Sequence, residues 1–317
     1  MLYWRLLLGG FLIVGFGALF WLDGTQAGGA PPAAWLFPLV LVGAILGTND
    51  LLWLFQARGW DPSPRVMLFG NLAIVSSNAV PLFWPDYPVD FPLGRWGWPG
   101  LTGMVMLLVA FVAEMRRYHE PGKPVLHLAL NCLAWCYLGF LLSVLVQLRA
   151  FDLHARGLLA IASLVIVTKA GDIGAFTVGR ILGRTQMTPI LSPGKTWEGA
   201  AGAVLFACLA AIALGYWWAP FLPPGDTSTG NWGELSWPRD SLWESTTGKL
   251  IRWAIYGAIL AVAGMIGDLA ESLIKRDVGR KDSGNWLPGF GGVLDLLDSV
   301  LYAGPVAYIC WLVRLVP

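Results

Sequence analysis

Charged residues are scarce in this chain: they make up 13% of its 317 residues, about half the share that soluble proteins usually carry. Hydrophobic residues make up 56%, and the mean hydropathy is +0.62. So little polar surface excludes an ordinary water-soluble protein and an intrinsically disordered one. The net charge is only +1, so the chain offers no basic field to a nucleic acid, and we expect no such partner. The composition instead predicts an integral membrane protein embedded in the lipid bilayer.

Cysteine and histidine are also rare, with four cysteines and three histidines. The cysteines all lie in apolar stretches and form no C-x-x-C pair, which predicts buried thiols and argues against a zinc or redox site. The histidines, His119, His127 and His154, do not have the spacing of metal ligands. Neither cysteine nor histidine therefore provides a candidate metal ligand or catalytic residue.

Long apolar runs, by contrast, recur along the whole chain. About nine of them reach the roughly 20 residues that a helix needs to cross a bilayer. They are continuous rather than alternating, which favours helices over a β-barrel. They lie near residues 6–22, 33–55, 66–84, 98–115, 124–148, 157–178, 199–219, 253–273 and 299–316. We therefore predict an all-α, polytopic integral membrane protein with about nine transmembrane helices.

The polar segments divide the chain into two parts of one integrated membrane unit. Residues 1–150 carry about five spans joined by short loops, whereas residues 151–317 carry the polar stretches 179–198 and 274–298 and are predicted to form the catalytic part. If the N-terminus is cytoplasmic, both stretches and most of the 21 lysines and arginines lie on the cytoplasmic side, in agreement with the positive-inside rule. The functional site is therefore expected to face the cytoplasm. The loop 220–252, rich in Trp, Pro and Ser, is predicted to face outward and is given no role.

Ionisable residues inside membrane spans are costly and are candidates for function. Lys169 and Asp172 lie three residues apart in the sixth predicted span, close enough to pair across one helical turn. A structural ion pair and a functional pair both remain open. Asp50 and Glu114 lie near span ends, where solvation is cheap, and a structural role is expected for each.

The stretch LSPGKTWEG, which begins at residue 191, contains a Gly-Lys-Thr sequence. A nucleotide-binding phosphate loop is excluded because Pro189 stands where that motif needs a glycine and because no strand is predicted before it. Ser192 followed by Pro193 is typical of a helix start. A helix N-terminus beside Lys195 would bind phosphate through free backbone amides and the ammonium group. We therefore predict a helix start and a phosphate contact here.

The segment GDLAESLIKR is the most informative part of the sequence. On a helix, its Asp268, Ser272 and Lys275 share one face. Further along the chain, Asp295 and Asp298 lie three residues apart where the ninth predicted span begins, so they too can share a face. Carboxylates with neighbouring cations and glycine-rich backbone suit a hard divalent ion that carries phosphates.

These residues resemble the signature of the phosphatidate cytidylyltransferase family, also called CDP-diacylglycerol synthase. The signature reads S-x-x-K-R, then K-D-x-G, then P-G-H-G-G-x-x-D-R-x-D. This chain has SLIKRDVGRKDSG followed by PGFGGVLDLLDS, and its earlier blocks DIGAFTVGR and SPGKTWEG are also typical of the family. The matching segments cover about residues 165–300, and their order and spacing agree with the family's.

Two positions depart from the signature. Phe290 replaces the usual histidine, and Leu296 replaces the usual arginine. Phenylalanine cannot donate a hydrogen bond to phosphate, and leucine removes a fixed positive charge. These changes bear on the choice of substrate and on the rate, whereas the aspartates and lysines of the signature are all present.

The resemblance implies that CTP and phosphatidate react to give CDP-diacylglycerol and pyrophosphate. It implies Asp268, Asp295 and Asp298 as ligands of Mg²⁺, and it allows a monovalent cation such as K⁺ beside it. It makes Asp268, Asp295, Lys195 and Lys275 catalytic. It implies the substrate-binding residues Ser192, Thr196, Arg180, Ser272, Arg276, Lys281 and Asp282. It also implies a homodimer in a bacterial cytoplasmic membrane.

Two other kinds of protein remain as alternatives. One is a non-catalytic membrane protein, either a transporter or a decayed homologue, although the lack of an internal repeat weakens a transporter built from inverted halves. The other is a CTP-dependent enzyme acting on a different lipid, such as a polyprenol kinase or an ether-lipid cytidylyltransferase. The sequence does not specify the acyl chains of the lipid.

Overall fold

The computed structural model describes residues 2–29, 31, 33–84, 87–88, 90–119, 121–151, 155–218, 245–284 and 291–316. The helices are α1 (Leu2–Gly24), α2 (Phe37–Ala57), α3 (Pro64–Ser76), α4 (Ala79–Phe83), α5 (Gly97–Arg117), α6 (Pro124–Ala134), α7 (Leu141–Arg149), α8 (Ala155–Leu182), α9 (Trp197–Trp217), α10 (Thr246–Asp277) and α11 (Leu294–Leu312). A 3₁₀ turn covers Ala27–Gly29, and a π-helical segment, Trp135–Phe140, joins α6 to α7. The strands β1 (Gln186–Thr188) and β2 (Ser192–Thr196) form one small antiparallel sheet.

The prediction of an all-α, polytopic membrane protein is confirmed. In the described residues, seven helices are long and apolar enough to cross a membrane. They are Phe37–Ala57, Pro64–Phe83, Gly97–Arg117, Pro124–Arg149, Arg156–Leu182, Trp197–Trp217 and Thr246–Asp277.

The predicted count of nine spans is not confirmed, because the runs 6–22 and 299–316 are not among these seven. The first run contributes a shorter apolar helical stretch, Val14–Gly24. The last run belongs to α11, whose first two turns contain Asp295 and Asp298. These carboxylates lower the mean hydropathy of a helix that is otherwise apolar.

The chain divides into two compact units. The first unit consists of Met1–Ala150 and Leu273–Leu297. Its core lies around Trp135, which is buried with Ile74 and Ala110 and donates its indole N–H to the Met67 carbonyl at 3.2 Å. Buried polar side chains join neighbouring helices in this unit through short hydrogen bonds, as side chains in membrane proteins commonly do. One example is the Asn71 amide, which donates to Thr48 Oγ1 at 2.9 Å.

The second unit consists of Phe151–Ser272 and Asp298–Pro317. In it, α8 and α9 approach so closely at Gly174 and Gly202 that a Cβ on either glycine would collide with the other helix. Gly267 lies in the same way against the Asp298 carbonyl. Small residues at such crossings let helix backbones pack where the hydrophobic effect gives no drive for association.

The hairpin β1–β2 corrects one local prediction. Ser192 and Pro193 do not start a helix, because residues 192–196 are extended and pair with β1. The helix begins at Trp197, with Thr196 as its N-cap: the Gly199 N–H donates to Thr196 Oγ1 at 3.1 Å. The pairing of the two strands and this cap together move the helix start several residues along the chain.

The four cysteines are free thiols. Cys310 is buried, but Cys132 and Cys208 are only partly buried and Cys136 is exposed. The prediction of burial is therefore wrong for Cys136.

Candidate active site

Three carboxylates of the second unit, Asp268, Glu271 and Asp298, form an acidic cluster. One oxygen of each residue lies within 4.8 Å of the other two. Asp268 and Glu271 are one turn apart on α10, which brings both carboxylates to the same side of the helix. Glu271 is fully buried and Asp298 is 7% exposed, so the cluster opens outward mainly at Asp268. Closely spaced carboxylate oxygens are the ligands that hard divalent cations prefer, and these residues therefore fit such an ion.

The electrostatics of the acidic cluster agree with that fit. Burial, followed by the negative charge of Asp268, raises the pKa of Asp298 to about 6. The positive charge of Lys169 and the Ser299 N–H act in the opposite direction. Carboxylates that repel one another in this way gain stability when a cation is added among them.

Lys195 directly contacts the acidic cluster. Its Nζ lies 2.7 Å from Asp268 Oδ2 and 3.4 Å from the Met265 carbonyl oxygen. Its position on β2 explains this reach, since the hairpin holds the residue before α9 begins. The Lys195 side chain is 20% exposed, so the ammonium group remains accessible to an anionic ligand. The structure thus brings together two residues that the sequence selected separately.

Lys169 and Asp172 form the predicted ion pair on α8, with Lys169 Nζ 2.9 Å from Asp172 Oδ2. The Ser299 hydroxyl completes this group: it accepts from Lys169 Nζ at 2.9 Å and donates to Asp172 Oδ2 at 3.0 Å. Ser299 is the neighbour of Asp298 in the chain. The pair therefore adjoins the acidic cluster within the second unit.

Asp295 belongs to the first unit, where it is held by several donors. Lys275 Nζ donates to its Oδ1 at 2.6 Å. Its Oδ2 accepts from the Ser283 N–H at 3.0 Å, the Ser283 hydroxyl at 2.7 Å and the Gly292 N–H at 2.8 Å. Burial raises the pKa of Asp295, but these hydrogen bonds outweigh burial and the net pKa lies below its usual value. Asp295 is thus a fixed, ionised carboxylate.

Asp268 and Asp295, predicted to share one metal ion, belong to different units, and their sharing of an ion stays a prediction. Ser272 is buried in α10, and Thr196 Oγ1 caps α9. The Ser192 carbonyl accepts from Thr188 Oγ1 within the hairpin. The remaining predicted substrate-binding residues are exposed: Arg180, Arg276, Lys281 and Asp282. Leu296 is partly buried at the start of α11, whereas Phe290 lies outside the described residues.

Two residues of this region were missed by sequence reasoning. Glu271 follows Asp268 by three positions, a spacing that places both carboxylates on one helix face and could have identified it. Ser283, inside the K-D-x-G block, gives two hydrogen bonds to Asp295. No spacing rule indicates this role, because the two residues meet through the folding of a loop.

Comparison with known proteins identifies the family. The Cytidylyltransferase family matches residues 4–313. A protein of Synechocystis named Phosphatidate cytidylyltransferase is 29% identical, covering 86% of this chain and 87% of its own length. One of the same name from Mycobacterium bovis is 33% identical, covering 89% and 80%. The Escherichia coli protein named Uncharacterized protein YnbB is 33% identical, covering 77% and 79%. Since the family match extends over nearly the whole chain, the protein belongs to the cytidylyltransferase family.

Proposed function

We propose that this protein transfers a cytidylyl group from CTP to phosphatidate, giving CDP-diacylglycerol and pyrophosphate in phospholipid biosynthesis. It is then a nucleotidyltransferase. The observation that carries the proposal is the acidic cluster with Lys195 at 2.7 Å from Asp268, in a chain whose relatives are named for this reaction. Carboxylates for a divalent ion beside an accessible lysine are what the reaction of a triphosphate with a phosphate monoester requires.

The reaction itself needs little covalent help from the protein. A phosphatidate oxygen attacks the α-phosphorus of CTP, the new P–O bond forms, and the bond from the α-phosphorus to the β-phosphate oxygen breaks. The electron pair leaves with pyrophosphate. Because the attacking phosphate is already ionised near neutral pH, no histidine or serine base is needed. The task of the residues is to hold two anions in line and to offset their repulsion.

Asp268, Glu271 and Asp298 are the residues proposed to hold the divalent ion, for which the family resemblance gives Mg²⁺. When bound, such an ion neutralises phosphate charge and makes the phosphorus more electrophilic. The resemblance adds Asp295 as a ligand and a monovalent cation such as K⁺, and both stay predictions. The acidic cluster alone supplies enough oxygen donors for a partly hydrated Mg²⁺.

The cations of the site have separate tasks in this proposal. Lys195 contacts a phosphate of the nucleotide, since its ammonium is accessible while Asp268 orients it. Lys275 orients Asp295 through its hydrogen bond to Oδ1, and its ammonium group is proposed to attract a substrate phosphate as well. The exposed Arg180, Arg276 and Lys281, together with Asp282, Ser192, Thr196 and Ser272, are proposed to bind the substrates. The resemblance extends the proposal to a homodimer.

Labelled CTP tests the proposed function directly. We expect purified protein with phosphatidate and Mg²⁺ to move the label of α-labelled CTP into the lipid, and EDTA to stop the transfer. CTP labelled on its γ-phosphate should leave its label in pyrophosphate. Label from the γ-phosphate in a polyprenol would indicate a lipid kinase instead. Absence of label in lipid at saturating Mg²⁺, while CTP still binds, would indicate the non-catalytic alternative.

The orientation of the site in the bacterial cytoplasmic membrane is tested by cysteine labelling. In a background without native cysteine, Gln186→Cys and Asn285→Cys should resist an impermeant thiol reagent in intact cells and react in inverted vesicles, because CTP is cytoplasmic. Ser228→Cys, in the loop predicted to face outward, is the matched control and should react in intact cells. Labelling of Gln186→Cys but not Asn285→Cys in intact cells would contradict the predicted topology.

A further inference from the structure

Asp50 is a buried carboxylate in the middle of the first unit. It lies on α2, one of the candidate membrane spans, and its exposure is 0%. A carboxylate in such a place is costly and is kept where it has a task. Its contacts with the described residues of the first unit indicate what that task is.

Asp50 caps the first turn of α11. The Leu294 N–H donates to Asp50 Oδ2 at 3.0 Å, and Leu294 is the first residue of the helix. The first N–H groups of a helix have no partner inside it, and a negative charge stabilises that end of the helix dipole. A cap usually comes from the residue just before the helix. Here it comes from a residue 244 positions earlier in the chain, so it ties α11 to α2.

The Asp50 carboxylate also lies between two glycines, Gly284 and Gly292. A Cβ on either glycine would collide with it: one with Oδ1, the other with Oδ2. The Gly292 N–H in turn donates to Asp295 Oδ2 at 2.8 Å. Ser283, the neighbour of Gly284, gives Asp295 two further hydrogen bonds. Asp50 therefore contacts both pieces of backbone that hold Asp295.

Other residues of α2 support the same contact. Gly43 faces Leu297, and Gly47 faces Leu294, both near the start of α11. One turn beyond Asp50, the Arg280 guanidinium lies over the Trp53 ring, with its carbon Cζ 4.8 Å from the centroid of the ring. These residues follow the spacing of one helix face. That face of α2 thus contacts Arg280, Gly284, Gly292 and the first turn of α11.

We propose that Asp50 is the positioning residue for Asp295. It fixes the start of α11 and the two glycines, and so keeps the Ser283 and Gly292 donors in place around the Asp295 carboxylate. Asp50 itself touches no substrate. Only the expected change in kcat rests on the proposed function. The expected change in hydrogen exchange depends on the fold alone.

Two substitutions at Asp50 and one control test this role. Asp50→Ala removes the cap. Asp50→Asn keeps the size of the side chain and an acceptor for the Leu294 N–H. Thr48→Val is the matched control, because Thr48 is equally buried on the same helix but bonds to Asn71 and to the Ala44 carbonyl. Hydrogen exchange of peptides covering residues 280–297, measured in detergent, reports the loop, and kcat and KM for CTP report the reaction.

For Asp50→Ala we expect exchange in residues 280–297 to accelerate about tenfold, the order of effect that loss of a helix cap has. The exchange of α5 should not change. We expect kcat to fall by a similar factor with KM for CTP nearly unchanged, and Asp50→Asn and Thr48→Val to stay close to the unmodified protein in both measurements. If Asp50→Ala is not recovered folded, Gly284→Ala, which directs a methyl group at the same carboxylate, replaces it with the same expectation.

Unchanged exchange and unchanged kcat in Asp50→Ala would overturn the proposal. So would loss of turnover in Asp50→Asn with exchange protection intact, because the carboxylate charge and not its position would then be required. If the unmodified protein transfers no cytidylyl group, the proposed function has failed, and the exchange measurement alone decides the role of Asp50.

Discussion

Replacing Asp268 with asparagine is expected to lower kcat for cytidylyl transfer at least about a hundredfold, the order of effect of losing electrostatic stabilisation at a reacting phosphate. Asparagine has nearly the same shape but no charge, so one of three oxygen ligands becomes a poor one. Lys195 also loses the partner that holds its ammonium at 2.7 Å. Transfer of label from α-labelled CTP to phosphatidate, followed over time at several Mg²⁺ concentrations, measures the loss.

Asp277→Asn is the matched control for this experiment. Asp277 lies on the same helix, is exposed and is not part of the acidic cluster, so its variant should keep the unmodified rate. Both proteins should elute as folded species in detergent with similar thermal stability. Near-normal turnover of Asp268→Asn at ordinary Mg²⁺ would remove Asp268 from the site.

Asp295→Asn is expected to lower kcat for cytidylyl transfer by a similar factor, for a different reason. The carboxylate accepts from Lys275 on one oxygen and from three groups of Ser283 and Gly292 on the other. An asparagine amide must point its NH₂ either at the Lys275 ammonium or at those three donors, and both arrangements place donor against donor. We therefore expect kcat to fall about a hundredfold or more, since a buried polar group without a partner and the lost charge act together.

Two further substitutions separate the effect of a lost hydrogen bond to Asp295 from the effect of a lost charge. Ser283→Ala removes one donor and leaves Asp295 ionised, so it should lower kcat only about threefold, as expected for one hydrogen bond among several. Lys275→Met removes the counter-charge and should lower kcat far more. An Asp295→Asn protein as active as Ser283→Ala would show that the charge of Asp295 has no part in catalysis.

The sequence predicted the helical spans well because each is encoded locally, by the length and hydropathy of one segment. It was less accurate at α11, which begins before the predicted run and includes Asp295 and Asp298, and these carboxylates lower the mean hydropathy of the helix. It placed a helix start at Ser192, because the local Ser-Pro signal says nothing of the strand that pairs with it. The Lys169–Asp172 pair was predictable from a spacing of three on one helix.

Several residues of the candidate site could be selected from the sequence, but the way in which they group could not. The family resemblance implied one catalytic group of Asp268, Lys195, Lys275 and Asp295, and the structure distributes these residues as two ion pairs. Which residues meet depends on contacts between distant segments, and one sequence does not contain that information. Asp50 illustrates the same limit: nothing near it in the chain indicates that it caps a helix 244 positions away.

The close helix contacts of the second unit determine how freely its sequence can vary. Gly174 and Gly202 have no room for a methyl group, and Gly267 has none beside the Asp298 backbone. Even alanine at these positions must push helices apart, and at Gly267 the two helices concerned, α10 and α11, carry the acidic cluster. Inactivating variants should therefore fall at these glycines as often as at the carboxylates. The mutational tolerance of this unit thus reflects the spacing between backbones as much as the chemistry of the reaction.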